Sequence, residues 1–161
     1  MGADRGMREG LRIALVGPAY PYRGGIAHFT NRFAEELAAE HEVLICTFER
    51  QYPELFFPGK TQMEPGEWEL PVEPVRLIDS INPLSWWRSG RWIGGQNPDA
   101  VAFSYWMPFF VPAYRGILAG LRSASARPAC EVLWLHNLHP HERLPGAGWL
   151  LRKLIRRFAG Q

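Results

Sequence analysis

The sequence predicts an α/β fold: a Rossmann-like, three-layer α/β/α domain built on a mainly parallel sheet. Three observations predict it. Short apolar runs alternate with amphipathic stretches along the 161 residues. The first run ends on Gly17-Pro18 and passes through Gly24-Gly25 into a helical pattern, which reads as strand, loop, helix. A second apolar run follows that helix within about forty residues, which makes a βαβ unit with a right-handed crossover.

The elements follow in order. Residues 1–10 are polar and glycine-bearing, and are expected to be a disordered leader; residues 11–161 are expected to form one domain. Residues 11–16 are apolar and bounded by Gly17-Pro18, so they read as a buried strand. Ile26, Phe29, Phe33, Ala34 and Leu37 recur at three- and four-residue spacing, giving a helix to about Glu40. Residues 42–48 are a second apolar strand. Residues 51–74 are proline-rich and aperiodic, an excursion of the kind that is usually functional or mobile. Residues 75–78 make a short strand, and Asn82-Pro83 opens a helix over 84–93 that carries three tryptophans. Residues 100–105 form another strand. A helix over 110–121 follows, with Pro112 in its first turn, where its missing N–H does no harm. Residues 131–135 make the next strand, and residues 146–158 close the chain as a helix. Such a parallel sheet is expected to be covered on both faces.

Composition narrows the function. Net charge is +2, which argues against wholesale nucleic-acid binding. Cys46 and Cys130 each sit beside an apolar run and read as buried, reduced core residues, which fits an intracellular, cytoplasmic setting. No run approaches the ~20 apolar residues of a spanning helix. Aromatic residues make up 13% of the chain, and many fall in polar or proline-rich stretches. There they can wall a ligand, form an interface, or plug loops onto the core.

In open α/β sheets, ligands bind beyond the carboxyl ends of the strands. That rule selects residues 17–25, 105–108 and 136–142. Gly24 and Gly25 leave the backbone bare at a helix start, where unpaired N–H groups and the helix dipole favour a phosphate. The alternative is a plain structural turn, because G-x-G-x-x-G is absent. Arg23 could meet a phosphate, and His28 could face the same crevice or solvent. Tyr105 and Trp106 could stack on a sugar or base, or fill space. His136, Asn137, His139, His141 and Glu142 crowd one strand end. His136 could bond a sugar hydroxyl, steer a phosphate, or exchange protons near neutral pH; equally it could bond loop backbone. A zinc site from the three imidazoles and Glu142 fits poorly, since Pro140 interrupts the spacing, so no metal is expected. In the last helix, Leu150, Leu151, Leu154, Ile155 and Phe158 oppose Arg152, Lys153, Arg156 and Arg157. Its apolar face can pack on the sheet, or the helix, with exposed aromatics, can serve a non-catalytic module that binds a protein partner or an anionic membrane surface.

The strand ending Val16-Gly17-Pro18, the Gly24-Gly25-Ile26 step, the stretch Phe33-Ala34-Glu35-Glu36-Leu37 before His41-Glu42-Val43, and the Leu135-His136-Asn137 step together resemble the amino-terminal domain of GT-B glycosyltransferases of the retaining, family 4-like group. The resemblance implies an acceptor-binding domain of an enzyme that moves a sugar from a nucleotide-sugar without a bound metal or other cofactor. By that likeness Gly24 and Gly25 approach the donor's phosphates, and His136 belongs to the active site. Glycan or lipid-linked acceptors are implied, and so is work at the inner membrane face. A full enzyme of the group carries a second Rossmann-like domain that holds the donor nucleotide and a Glu-x7-Glu type motif. Neither is found in these residues, so little turnover is expected from them alone, and the missing half would be supplied in cis or in trans.

Overall fold

Five strands lie side by side in the order β3-β2-β1-β4-β5, and every pairing is parallel. The structure, a computed structural model, describes residues 10–53, 61–66, 70–124, 127–137 and 147–159. Nearly all of the expected leader lies outside these residues, as do His139, His141 and Glu142.

Strands β1 (Arg12–Val16), β2 (Glu42–Arg50), β3 (Pro74–Asp79), β4 (Ala100–Tyr105) and β5 (Cys130–Leu135) alternate with helices α1 (Gly25–Ala38), α2 (Pro83–Gly95), α3 (Val111–Arg122) and α4 (Ala147–Ala159). Because successive side chains of a strand point to opposite faces, the strands build two cores. Leu15, Val43 and Ile45 point to one face, where they pack with Ala34 of α1. Ala14, Val16, Cys46, Phe48, Val101 and Phe103 point to the other, where they meet Ile93 of α2, Leu118 of α3 and Leu154 of α4. The result is the expected three-layer α/β/α arrangement, with one helix on one side of the sheet and three on the other among the described residues.

The larger core is held by close backbone approach as well as by apolar burial. A Cβ at Gly90 of α2 would sit 2.0 Å from the Ile117 carbonyl oxygen, and one at Gly120 of α3 would sit 2.2 Å from that of Trp87. Glycines at these two crossings let α2 and α3 pack backbone to backbone. The start of α2 is capped by Asn82, whose Oδ1 accepts from Leu84 N–H at 3.0 Å, with Pro83 in the first turn. A short 3-10 turn (Pro108–Phe110) leads into α3.

Two expectations need correction. Cys130 is exposed rather than buried. The sheet is not covered evenly either. On the α1 side, β5 leaves Val132 and Trp134 each 39% exposed, because a single helix seated over β1 and β2 does not reach the far strand. Only Phe29 and Phe33 of α1 extend toward it, with ring centroids 4.8 and 5.1 Å from the Trp134 ring.

Candidate functional site

The chain order reverses between β1 and β4, since the links from β1 run toward β2 and those from β4 run toward β5. That is the switch point at which such sheets open a crevice. The β1–α1 loop, the end of β4 and the end of β5 all reach this rim.

Gly24 is the conformational key to the loop. Its φ of 121° and ψ of 162° lie in a region that essentially only glycine adopts. A Cβ at Gly24 or at Gly25 would meet nothing within 4 Å, so this corner is open space rather than packing. Gly24 caps α1 without any side-chain bond to the helix. The first N–H groups of α1 therefore have no intrahelical acceptor, and no carboxylate occupies the first turn. An anion placed there meets bare N–H groups and the positive end of a fourteen-residue helix.

Part of the proline-rich excursion crosses this loop. Arg23 N–H donates to the Gln62 carbonyl at 2.9 Å, Glu64 N–H donates to that of Pro21 at 2.7 Å, and Tyr22 bridges Met63. Tyr20 Oη donates to the Gly66 carbonyl. The His28 Nε2 atom lies 3.5 Å from Glu64 Oε2. The Arg23 side chain is exposed. Arg23 and His28 thus stand beside the glycine corner, on the side braced by the excursion.

His136 reaches the same helix from β5. Its N–H donates to the Tyr105 carbonyl at 2.8 Å, which extends the β4–β5 ladder by one residue. Its ring meets Phe29, one turn into α1, edge-on at 5.1 Å. Nε2 is buried with no hydrogen-bond partner among the described residues. Burial lowers the His136 pKa, so the neutral imidazole is favoured. Asn137 Nδ2 donates to the Trp106 carbonyl at 3.4 Å, a long bond that links the ends of β4 and β5.

Tyr105 and Trp106 are core side chains. Trp106 packs on Phe110 with centroids 4.2 Å apart, and its Nε1 donates to Tyr52 Oη at 3.0 Å. Burial raises the Tyr105 pKa, and its hydroxyl has no partner among the described residues. Gln51 Oε1 and Ser80 Oγ, just beyond β2 and β3, are buried and unpartnered in the same way. Four strand ends therefore each carry a polar atom that water reaches poorly, a pattern that invites bound water or ligand. Nothing in the sequence marked Gln51 or Ser80, since orphaned burial is a property of the fold.

Two clefts of about 350 Å³ flank Arg76 on β3 instead of the glycine corner. Arg76 is already used there: its guanidinium donates to the carbonyls of Phe48 and Glu49 and lies over the Tyr22 ring. Among the described residues, no group of three or more His, Cys, Asp or Glu is placed to hold a metal. Among the described residues, no helix is long and apolar enough to cross a membrane.

No protein-family model matches this sequence, and no curated protein matches it. The functional reading rests on the geometry above.

Proposed function

We propose that this chain is the acceptor-side domain of a GT-B, family 4-like glycosyltransferase. The observation that carries the reading is the bare corner at Gly24-Gly25. It sits where the first strand hands over to the first helix, beside the switch point of a 3-2-1-4-5 parallel sheet. In this reading the α1 N–H groups stabilise negative charge on the departing nucleoside diphosphate, a preorganised electrostatic role. His136 and Asn137 line the far side of the crevice and help position the acceptor hydroxyl. Neutral His136 is suited to accept a hydrogen bond or a proton from that hydroxyl. Arg23 and His28 add positive or polar character near the phosphates. Tyr105 and Trp106 shape the crevice from beneath rather than stacking on sugar.

Amide-resolved titration with inorganic pyrophosphate and with nucleoside diphosphates tests the reading. Shifts are expected at the N–H groups of Gly25, Ile26 and Ala27, and should weaken in Gly25→Asp, which adds a carboxylate at the corner. Unmoved first-turn amides at saturating pyrophosphate would remove the corner from the site. Turnover of nucleotide-sugars by these residues alone should be negligible, and robust transfer would overturn the acceptor-side assignment.

A second reading is a non-catalytic module that binds an anionic membrane surface. One observation favours it: α4 buries Leu154 against the sheet while Trp149 and the cations around it stay exposed.

A further inference from the structure

A cleft of about 350 Å³ lies between α2 and the outer strand β3. It is two strands removed from β1, about 10 Å from the strand that leads into the glycine corner. One face of α2 lines it: Ser85, Arg88, Ser89 and Trp92 fall at three- and four-residue spacing. Glu49, Arg76, Leu77 and Asp79 of β2 and β3 form the opposite wall.

Most polar groups of this cleft are already engaged. Ser85 Oγ donates to the Asn82 carbonyl at 2.8 Å, and Ser89 Oγ donates to that of Ser85 at 2.7 Å. The Asp79 carboxylate is clamped by the Arg50 guanidinium. Arg76 donates to the Phe48 carbonyl at 3.2 Å and to the Glu49 carbonyl at 3.0 Å. Tyr22 Oη donates to the same Glu49 carbonyl at 2.9 Å. Glu49 is thus pinned by its backbone, while its side chain stays exposed. Arg88 is exposed on the facing helix. Among the described residues, neither Glu49 nor Arg88 is in an ion pair. A carboxylate and a guanidinium therefore share one cleft without meeting.

We infer that this cleft binds a free α-amino acid with an apolar side chain, its carboxylate on Arg88 and its ammonium group on Glu49. A lone anion at Arg88 would also face the Glu49 and Asp79 carboxylates. A lone cation at Glu49 would also face Arg76 and Arg88. A ligand that carries both charges meets an opposite charge on each wall, and either partial ligand leaves one wall repelled or unpaired. Trp92 and Leu77, both partly buried, supply the apolar surface for its side chain. The Ser85 and Ser89 hydroxyls already donate to carbonyls, so this face has little to offer a polyhydroxy ligand. A volume of about 350 Å³ is at the lower end of ligand pockets, which suits one amino acid rather than a long peptide. The site is separate from the glycine corner and does not depend on the sugar-transfer reading.

Three matched probes test this on the whole chain: L-phenylalanine, phenylalaninamide, which lacks the carboxylate, and 3-phenylpropionate, which lacks the ammonium group. Binding is followed by amide- and indole-resolved NMR titration. Phenylalanine should shift the Trp92 indole and the amides of Arg88 and Ser89 saturably, with a Kd of about 1 mM for so small a ligand. Each of the other two should bind about tenfold more weakly. In Arg88→Gln, phenylalanine should lose its advantage over phenylalaninamide. In Glu49→Gln, it should lose its advantage over 3-phenylpropionate. Both substitutions are at exposed side chains, and circular dichroism checks that each variant folds. Wild-type binding of 3-phenylpropionate as tight as that of phenylalanine makes the cleft an anion site and overturns the inference. Equal binding of phenylalaninamide makes it a cation site and overturns it too. So does an absence of saturable shifts with phenylalanine. First-turn amides of α1 should stay unmoved by phenylalanine, and Arg88→Gln should leave their response to pyrophosphate intact, so failure at either site is read separately from the other.

Discussion

At Gly24 and Gly25 two adjacent glycines serve different needs. Gly24 is required by its backbone, since φ is 121°, while Gly25 has an ordinary helical conformation and open space around it. Gly24→Ala should therefore cost about 1–3 kcal/mol of stability, while Gly25→Ala should be tolerated or slightly stabilising. Urea denaturation of the two variants checks this, and equal losses would contradict the assigned backbone. Gly-Gly in the sequence located the corner but did not say which glycine is structural, because φ is set by the loop's path. His136 carries a second prediction. Burial lowers its pKa, so the folded state disfavours the imidazolium while the unfolded chain takes the proton near pH 6.5. Its contribution is complete above about pH 6.5 and is lost as pH falls through the lowered folded value. The fall in stability between about pH 7 and about pH 5 should be shallower in His136→Asn than in wild type, measured by denaturant midpoint. An unchanged slope would mean that the ring is solvated. Cys130, also at a strand, shows the limit of local reading. An apolar neighbourhood in sequence says that a strand is present, not whether a helix covers that side of it.

Among the elements, the apolar runs and helical spacings gave every strand and helix to within a few residues, because periods of two and 3.6 are written locally. Packing partners were not written there. Tyr105-Trp106 reads as an aromatic pair at a strand end, yet both fill the core. Their environment depends on Tyr52 and Phe110, far along the chain or on the next turn. The glycines of α2 and α3 were likewise silent until the helices met. Gly90→Ala places a methyl group 2.0 Å from a backbone oxygen that cannot rotate away, so α2 and α3 must separate. Overpacking of this kind costs about 1–3 kcal/mol. Gly95→Ala, in the same helix with nothing within 4 Å, should be neutral or stabilising and serves as the control. Thermal midpoints of the two variants decide the matter, and similar values would place the α2–α3 crossing elsewhere.

For the whole molecule, the uneven cover of the sheet predicts an uneven stability. β1 is paired on both sides, to β2 and β4, and its Ala14, Leu15 and Val16 are buried on both faces. To exchange their amide protons these residues need both neighbours and both helical layers to part, which is close to global unfolding. β5 pairs with β4 alone among the described residues, and its α1-side residues are exposed in alternation. Opening β5 disturbs one ladder and one helical layer, so it needs only a partial excursion. β3 lies at the other edge of the described sheet and exposes Val75 and Arg76, but Arg76 and the Arg50–Asp79 ion pair tie it to β2. Native-state hydrogen exchange should therefore rank the strands with β1 slowest, β3 intermediate and β5 fastest. In β1, protection should reach the free energy of global unfolding, whereas in β5 it should fall measurably short. Amides of Val132 and Trp134 as slow as that of Leu15 would mean that β5 has a covering layer in solution, and the exposed Trp134 face would then be part of an interface rather than a free surface.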